Sequence, residues 1–252
     1  MNPLPLPILI STLVMLAQIW ISDANLRAQH WKNDGYTHKE TTMVKDTGAR
    51  TTVVSSDSNT ALGRRQAFDN NDFVFDLAGS KPDSETPGGG TIQPLGVAQL
   101  PALAGEGVSY SLFNLEPCGI NLPHVHQRAT ELLFVISAKN LRTAFTEENG
   151  GRVIINDLSK GMATFFPQGL LHYQQNLSCE PATYLSALNH EDPGVLTITT
   201  QFFRLPEEAI EGSLGEDLNL VTQLIDGLPM GPGEGRKQCL MECGLWGNDG
   251  HE

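Results

Sequence analysis

Between Thr91 and Arg204 the chain is cut into short apolar or alternating runs, each bounded by turn residues, with no helical period among them. "GVSYSLFNLE" and "LRTAFTEE" alternate, "ELLFVIS" is nearly continuous, and "RVIIND", "MATFFP", "LLHYQQNLS", "ATYLSALN" and "VLTITTQFFRL" follow at close spacing. Asn149-Gly150-Gly151 is a tight-turn signal between two of these runs. Short strands in succession, without crossover helices, close as an antiparallel sandwich or barrel. The fold class is all-β. Runs that are apolar on both faces need one face turned into a barrel and the other covered by a second sheet or subunit.

Outside this block the pattern changes. Residues 25–69 are polar, rich in Thr, Ser, Asp and Lys, and read as an extended or disordered arm. Phe73 to Leu77 reads as a short strand, and "KPDSETPGGG", residues 81–90, as a flexible loop. After Pro206, "PEEAIEGSL" and "GEDLNLVTQLIDGL" place apolar residues three and four apart, the period of C-terminal helices. The main domain is therefore drawn over residues 70–226. Residues 227–252 form a Gly/Pro-rich tail with two cysteines.

Leu4 to Ile21 carries no charged residue, and Ser22 and Ala24 fit the −3 and −1 positions of a signal-peptidase site. Residues 1–24 are therefore expected to be a cleaved signal peptide, although the usual basic start is missing and prolines stand at 3, 5 and 7. A single membrane anchor is the rival reading. No later segment is long and apolar enough to span a bilayer, so secretion leaves no membrane attachment. Cys118, Cys179, Cys239 and Cys243 suit an oxidising compartment. Three pairings are open. Cys118–Cys179 is the expected one, because each flanks a segment bearing candidate metal ligands; Cys239 and Cys243 then pair or stay free. A CxxxC zinc site is the rival. A net charge of −13 without any basic patch excludes nucleic acid as a partner.

"PHVHQRATELLFV" contains the first chemistry. Residues i and i+2 of a strand point to one side, so His124 and His126 face together and Val125 faces away. Glu131 lies beyond the short link "QRAT", where a hairpin sets it across from the two histidines. Downstream, "GMATFFPQGLLHYQQN" brings His172 into a strand among apolar neighbours. Three neutral imidazoles and one carboxylate hold a divalent cation with one net positive charge and two octahedral positions open. That donor mix and geometry favour Mn2+, with Fe2+ or another divalent metal as alternatives; zinc prefers fewer ligands. Without a cation, Glu131 is a buried carboxylate that needs a proton or a partner. The expected metal ligands are His124, His126, Glu131 and His172. The catalytic residues are left unknown, the chemistry being expected at the metal, and no organic cofactor is expected.

These two segments resemble the two germin motifs of the cupin family. The second matches at Gly161, Pro167, Gly169, His172 and Asn176; the first carries His124, His126 and Glu131 at the family's spacing. Cys118 stands where germins often have Gly, and Ala138 where a Gly normally closes the motif. Cys118, "NLSCEPA" and the CxxxCG tail are similar to the spherulin-like branch of secreted single-domain cupins. The resemblance covers roughly residues 70–226. It implies a double-stranded β-helix, the jelly-roll cupin barrel, with manganese inside and homo-oligomers formed through barrel faces and C-terminal helices.

Asn176 also lies in an N-glycosylation sequon, but a motif Asn within a barrel strand is expected to be structural. Phe134, Phe165, Phe166, Tyr173 and Phe202 are expected to be core packing rather than a substrate platform, about half of them lining the interior by alternation. His190 reads as a loop histidine, and His30, His38 and His251 lie in polar ends. Arg128 is the cation nearest the ligands in sequence and reads as a solvated loop residue. Three functions compete. The first is a secreted manganese-dependent oxidoreductase acting on superoxide or a small acid such as oxalate. The second is a tailoring enzyme of a larger metabolite, acting as a dioxygenase, isomerase or dehydratase. The third is a non-catalytic wall or spore protein. A tight cavity at the metal suits the first, and a wide apolar one the second.

Overall fold

The computed structural model describes residues 43–46, 51–54, 60–215 and 231–246. The expected leader, His30, His38, His251 and residues 216–228 of the second expected helix lie outside these. The chain divides into two units, Met1–Asp57 and Ser58–Glu252. In the first, β1 (Met43–Asp46) and β2 (Thr51–Val54) form an antiparallel hairpin pairing Met43 with Val54. Within the stretch read as a structureless arm, Thr and Val at these positions are enough for local pairing.

In the second unit, α1 (Ala61–Gln66) is capped by Thr60, whose side chain accepts a hydrogen bond from the Gly63 amide at 3.1 Å. Two antiparallel sheets follow. The first has the order β10 (Ala163–Phe166), β7 (Glu131–Ser137), β12 (Ala182–Leu188), β5 (Ser109–Leu115), β4 (Gly90–Leu95), β3 (Ser84–Thr86). The second has the order β13 (Leu196–Thr197), β6 (Ile120–Val125), β11 (His172–Asn176), β8 (Leu141–Thr146), β9 (Val153–Leu158), with β14 (Pro232–Gly233) also paired to β6. β8 and β9 meet through the Asn149-Gly150-Gly151 turn, where Gly150 has φ 91°, a left-handed conformation that suits glycine.

The core is filled by residues of both sheets, among them Phe113, Leu133, Val135, Leu141, Phe166 and Tyr184. β7 shows how the sequence selects faces: Glu131, Leu133 and Val135 are buried, while Leu132, Phe134 and Ile136 point outward. The outward set is apolar, and Phe165 of β10 stands opposite Leu132, leaving Leu132, Phe134 and Phe165 about half exposed on one sheet face. Of the five aromatics expected in the core, only Phe166 is fully buried. Alternation sends Phe134 and Phe165 to the outer face, while Tyr173 and the helical Phe202 are partly covered.

Several local expectations are corrected. Phe73 to Leu77 is no strand: Asp72 caps the Asp69 amide at 3.0 Å, a 3-10 turn runs over Asn70–Phe73, and Val74 is exposed. The loop 81–90 contains β3, which pairs Glu85 with Thr91. "VLTITTQFFRL" is extended only at Leu196–Thr197, opposite Val125 and His124, and then becomes helix α2 (Ile198–Phe202). The rest of that β6 edge pairs Pro232 and Gly233 with Asn121 and Ile120, so no edge remains for a longer strand. Helix α3 (Glu207–Leu214) forms as its period indicates, ending at Gly215 in the left-handed region.

The expected Cys118–Cys179 bridge is overturned. The bonds are Cys118–Cys239 and Cys179–Cys243, with Cα separations of 5.9 and 5.3 Å, and no described cysteine is free. The CxxxC zinc reading falls with it. Cys239 lies in α4 (Lys237–Glu242) and Cys243 caps it one turn later, so both face the same side. Cys118 and Cys179 lie next to each other because the Cys118 amide donates to the Ser178 carbonyl at 3.2 Å. Two parallel bridges therefore fasten the tail to the barrel. Cys118 has φ 66°, a left-handed position that favours glycine; a side chain there costs on the order of 1–3 kcal/mol. The bridge, on the order of 2–4 kcal/mol, offsets it.

Candidate metal centre

His124 lies on β6, His126 one residue beyond its end, Glu131 begins β7, and His172 begins β11. One donor atom from each lies within 4.8 Å of the other three. His172 and His124 are register partners on adjacent strands, so their rings meet with centroids 4.2 Å apart. Glu131 arrives differently from the expected hairpin. β6 and β7 belong to opposite sheets, so "QRAT" turns a corner of the barrel and carries the carboxylate across the interior. The centre thus lies between the sheets, on three strands.

β6 is also irregular. His172 pairs with His124 but Gln174 with Asn121, so β6 holds one extra residue over that interval. The bulge falls at Leu122-Pro123, where a residue lacking an N–H is tolerated, and it leaves both Asn121 and His124 buried.

Every imidazole is held by a backbone carbonyl. Nδ1 of His124 lies 2.7 Å from Leu122 O, that of His126 2.6 Å from Gly194 O, and that of His172 2.8 Å from Leu170 O. A carbonyl only accepts, so each Nδ1 carries the hydrogen and each Nε2 of a neutral ring is left with a lone pair. Nε2 of His126 and of His172 lie 3.0 and 3.2 Å from Glu131 Oε2. Ser186 Oγ donates to Glu131 Oε1 at 2.6 Å and fixes the carboxylate. Phe166 stacks on His172 with centroids 4.5 Å apart. Carbonyl anchors on the imidazoles and a hydrogen bond on the carboxylate are what the outer shell of a metal site supplies.

The electrostatics agree with that use. Burial, reinforced by His172, pulls His124 down to about 3, so its ring is neutral. Burial pulls His126 the same way, but the hydrogen bond to Glu131, the carboxylate charge and Gly194 outweigh it, and the net direction is up. Burial would raise Glu131; its close contacts with the His126 and His172 rings overcome that and hold the carboxyl well below its usual range. Lone pairs converging on a carboxylate need a cation between them: a proton shared with His126, or a metal that replaces it. The residues fit a divalent ion.

The four sequence-predicted ligands come together, and they could hold a metal. Ser186 was missed, although its signal was present: it is the lone polar residue at an inward position of β12, between Tyr184 and Leu188. Asn121, Gln174 and Tyr184 were missed as well. Asn121 Nδ2 donates to Gln174 Oε1 at 2.7 Å and the Tyr184 hydroxyl donates to it at 3.3 Å, a buried polar layer beneath the ligands. Asn176 is wholly buried; its amide donates to Glu116 O and Glu180 O at 2.9 and 2.7 Å, and its oxygen accepts from Ser178. Those bonds leave no room for a glycan. Arg128 pairs with Asp192 at 2.8 Å, and His190 is the loop residue expected.

The family model described as "Cupin" matches residues 76–221. The chain belongs to the cupin family. This cupin is 39% identical over 185 residues to Spherulin-1A of Physarum polycephalum, covering 73% of this chain and 75% of that protein. It is 34% identical over 143 residues to "Probable germin-like protein subfamily 2 member 5" of Arabidopsis thaliana, covering 56% and 66%. The spherulin and germin-like resemblance read from the two motifs is thus borne out, as is the jelly-roll fold. Among solved structures, a recombinant oxalate oxidase in complex with glycolate aligns with a TM-score of 0.58 and 26% identity, over 64% of this cupin and 82% of that chain.

Proposed function

We propose that this cupin is a secreted, manganese-dependent oxidoreductase that acts at its metal on superoxide or on a small acid, oxalate being the simplest case. One observation supports it above others: three Nε2 lone pairs, set by carbonyl-anchored Nδ1–H groups, meet one buried carboxylate oxygen. Three nitrogens and one oxygen suit an octahedral ion with two open positions, hence manganese or iron before zinc. Similarity to an oxalate oxidase in complex with glycolate favours oxidation of a small acid. When bound, the metal supplies Lewis acidity and one-electron chemistry.

The chain's own residues do the rest. Ser186 and two imidazoles keep Glu131 ionised and fixed as a ligand. Phe166 against His172 keeps water from the inner side. The His126 side chain, 12% exposed against 1% for His172, marks the open approach. Secretion is supported by the two disulfides and the expected leader; among the described residues no helix is long and apolar enough to cross a membrane. A homo-oligomer through the outer face of β7 and β10 is supported by Leu132, Phe134 and Phe165.

The test is metal analysis of the protein secreted from its own leader, followed by assays of superoxide dismutation and of oxidation of small acids. About one manganese per chain with one such activity is expected. Stoichiometric manganese with no turnover of superoxide, oxalate or any related acid overturns the oxidoreductase reading. One finding favours a larger organic substrate: a cavity of about 370 Å3, mostly apolar, opens on His124 and His126.

A further inference from the structure

That cavity lies at the small end of the range that takes an organic ligand, roughly 300–1,000 Å3. His124, His126 and Asn121 line it, together with Ile92, Pro94, Val97, Phe113, Leu122 and Val195. Asp83, Glu191 and Asp192 also line it, while no Lys or Arg does. The nearby Arg128 is engaged by Asp192 and by that residue's own carbonyl, to which its Nε donates at 2.7 Å.

These features decide between kinds of acid. A divalent metal with Glu131 leaves one positive charge at the centre. A monoanion neutralises it, whereas a dianion such as oxalate leaves a surplus negative charge facing acidic walls without a cation to meet it. Two adjacent oxygens on the ligand suit the two open positions of an octahedral ion. An apolar body beside them finds aliphatic and aromatic walls, which a two-carbon diacid would leave uncovered.

Resting on the metal-site reading above, we propose that the preferred ligand is a 2-hydroxy or 2-oxo monocarboxylic acid with an apolar tail up to the size of a phenyl ring. Its oxygens lie at the His124/His126 end and its tail lies among Ile92, Val97 and Phe113. Val97 is in the loop after β4 and is not one of the metal ligands; its amide is bonded to the Glu191 carbonyl at 2.9 Å.

Calorimetric titration of the manganese-loaded full chain with glycolate, lactate, 3-phenyllactate and oxalate tests this without any turnover. Affinity is expected to rise along the 2-hydroxy series, by about tenfold or more from glycolate to 3-phenyllactate, the gain from burying even part of a phenyl ring. Oxalate is expected to bind more weakly than 3-phenyllactate. Val97→Trp fills the tail space and should erase the gain while the manganese content stays as in the wild type. Equal affinity along the series, oxalate as the tightest ligand, or a gain that survives Val97→Trp overturns this inference and leaves the metal site standing. Binding of no acid to the loaded protein overturns this inference and the small-acid reading together, whereas a chain that takes up no manganese overturns the metal site itself. If Val97→Trp does not fold, the wild-type series decides alone.

Discussion

Replacing Glu131 with Gln separates the cation from the fold. Glu131 is 1% exposed, accepts from Ser186 at 2.6 Å, and faces Nε2 of His126 and His172 at 3.0 and 3.2 Å. A glutamine of the same shape can keep the Ser186 bond on its oxygen. Its NH2 can then donate to both Nε2 lone pairs, which are acceptors once Nδ1–H is bound to a carbonyl. Metal-free stability should therefore move by only about 1 kcal/mol. The metal-bound state is different, because the only negative ligand has gone. With manganese at roughly a hundred to a thousand times its dissociation constant, the wild type gains about 2.7–4.1 kcal/mol. At ~2–4 °C per kcal/mol for a unit of this size, its melting temperature rises by roughly 5–16 °C over the chelated protein. Scanning fluorimetry of both proteins, with EDTA and with MnCl2, reads all four states. The Glu131→Gln protein should show almost no manganese shift. An equal shift in both, or none in the wild type, would show that the cation is not held by this carboxylate.

Three further outcomes follow from the same geometry. His126 is held above its ordinary value by Glu131, so near pH 6 it carries a proton that manganese must expel. Affinity should fall by up to about tenfold per unit as pH drops below that raised value and level off above it; calorimetry in buffers of different ionisation enthalpy detects the released proton. Removing the Cys118–Cys239 bridge by paired alanines opens a span of 121 residues and frees one anchor of the tail. About 2–5 kcal/mol of stability should be lost, and proteolysis should begin near residues 231–246; an unchanged denaturation midpoint would contradict the clasp. Phe134→Glu with Phe165→Glu places charges on the half-exposed apolar face. Light scattering should then show a smaller particle than the wild type at full manganese content, and an unchanged mass would remove that face as the interface.

The ligand set was legible because each part of it is a short-range pattern. His124 and His126 are two apart at the end of a strand, and Glu131 and His172 each begin one, apolar on its inward side after Glu131 but carrying buried Gln174 and Asn176 after His172. The strand-rich block was legible for the same reason. Failures occur where one segment's state depends on another's. "VLTITTQFFRL" has strand composition throughout, yet β14, much later in the chain, occupies the edge it would need. Phe134 and Phe165 have the composition of core and the parity of the outside. The cysteine pairing failed because nearness to the ligand segments in sequence says nothing about where helix α4 lies.

Sequence alone picked out the four side chains that converge and the strand faces they occupy, since backbone stereochemistry fixes alternation within a few residues. Only the tertiary structure decided that Glu131 crosses from the opposite sheet, that three carbonyls set the imidazole tautomers, that the tail is bolted on by Cys239 and Cys243, and that an apolar cavity opens beside the histidines. Each of these joins residues distant along the chain. Such contacts are chosen by the packing of whole sheets against the entropy of closing long loops, which no local pattern records.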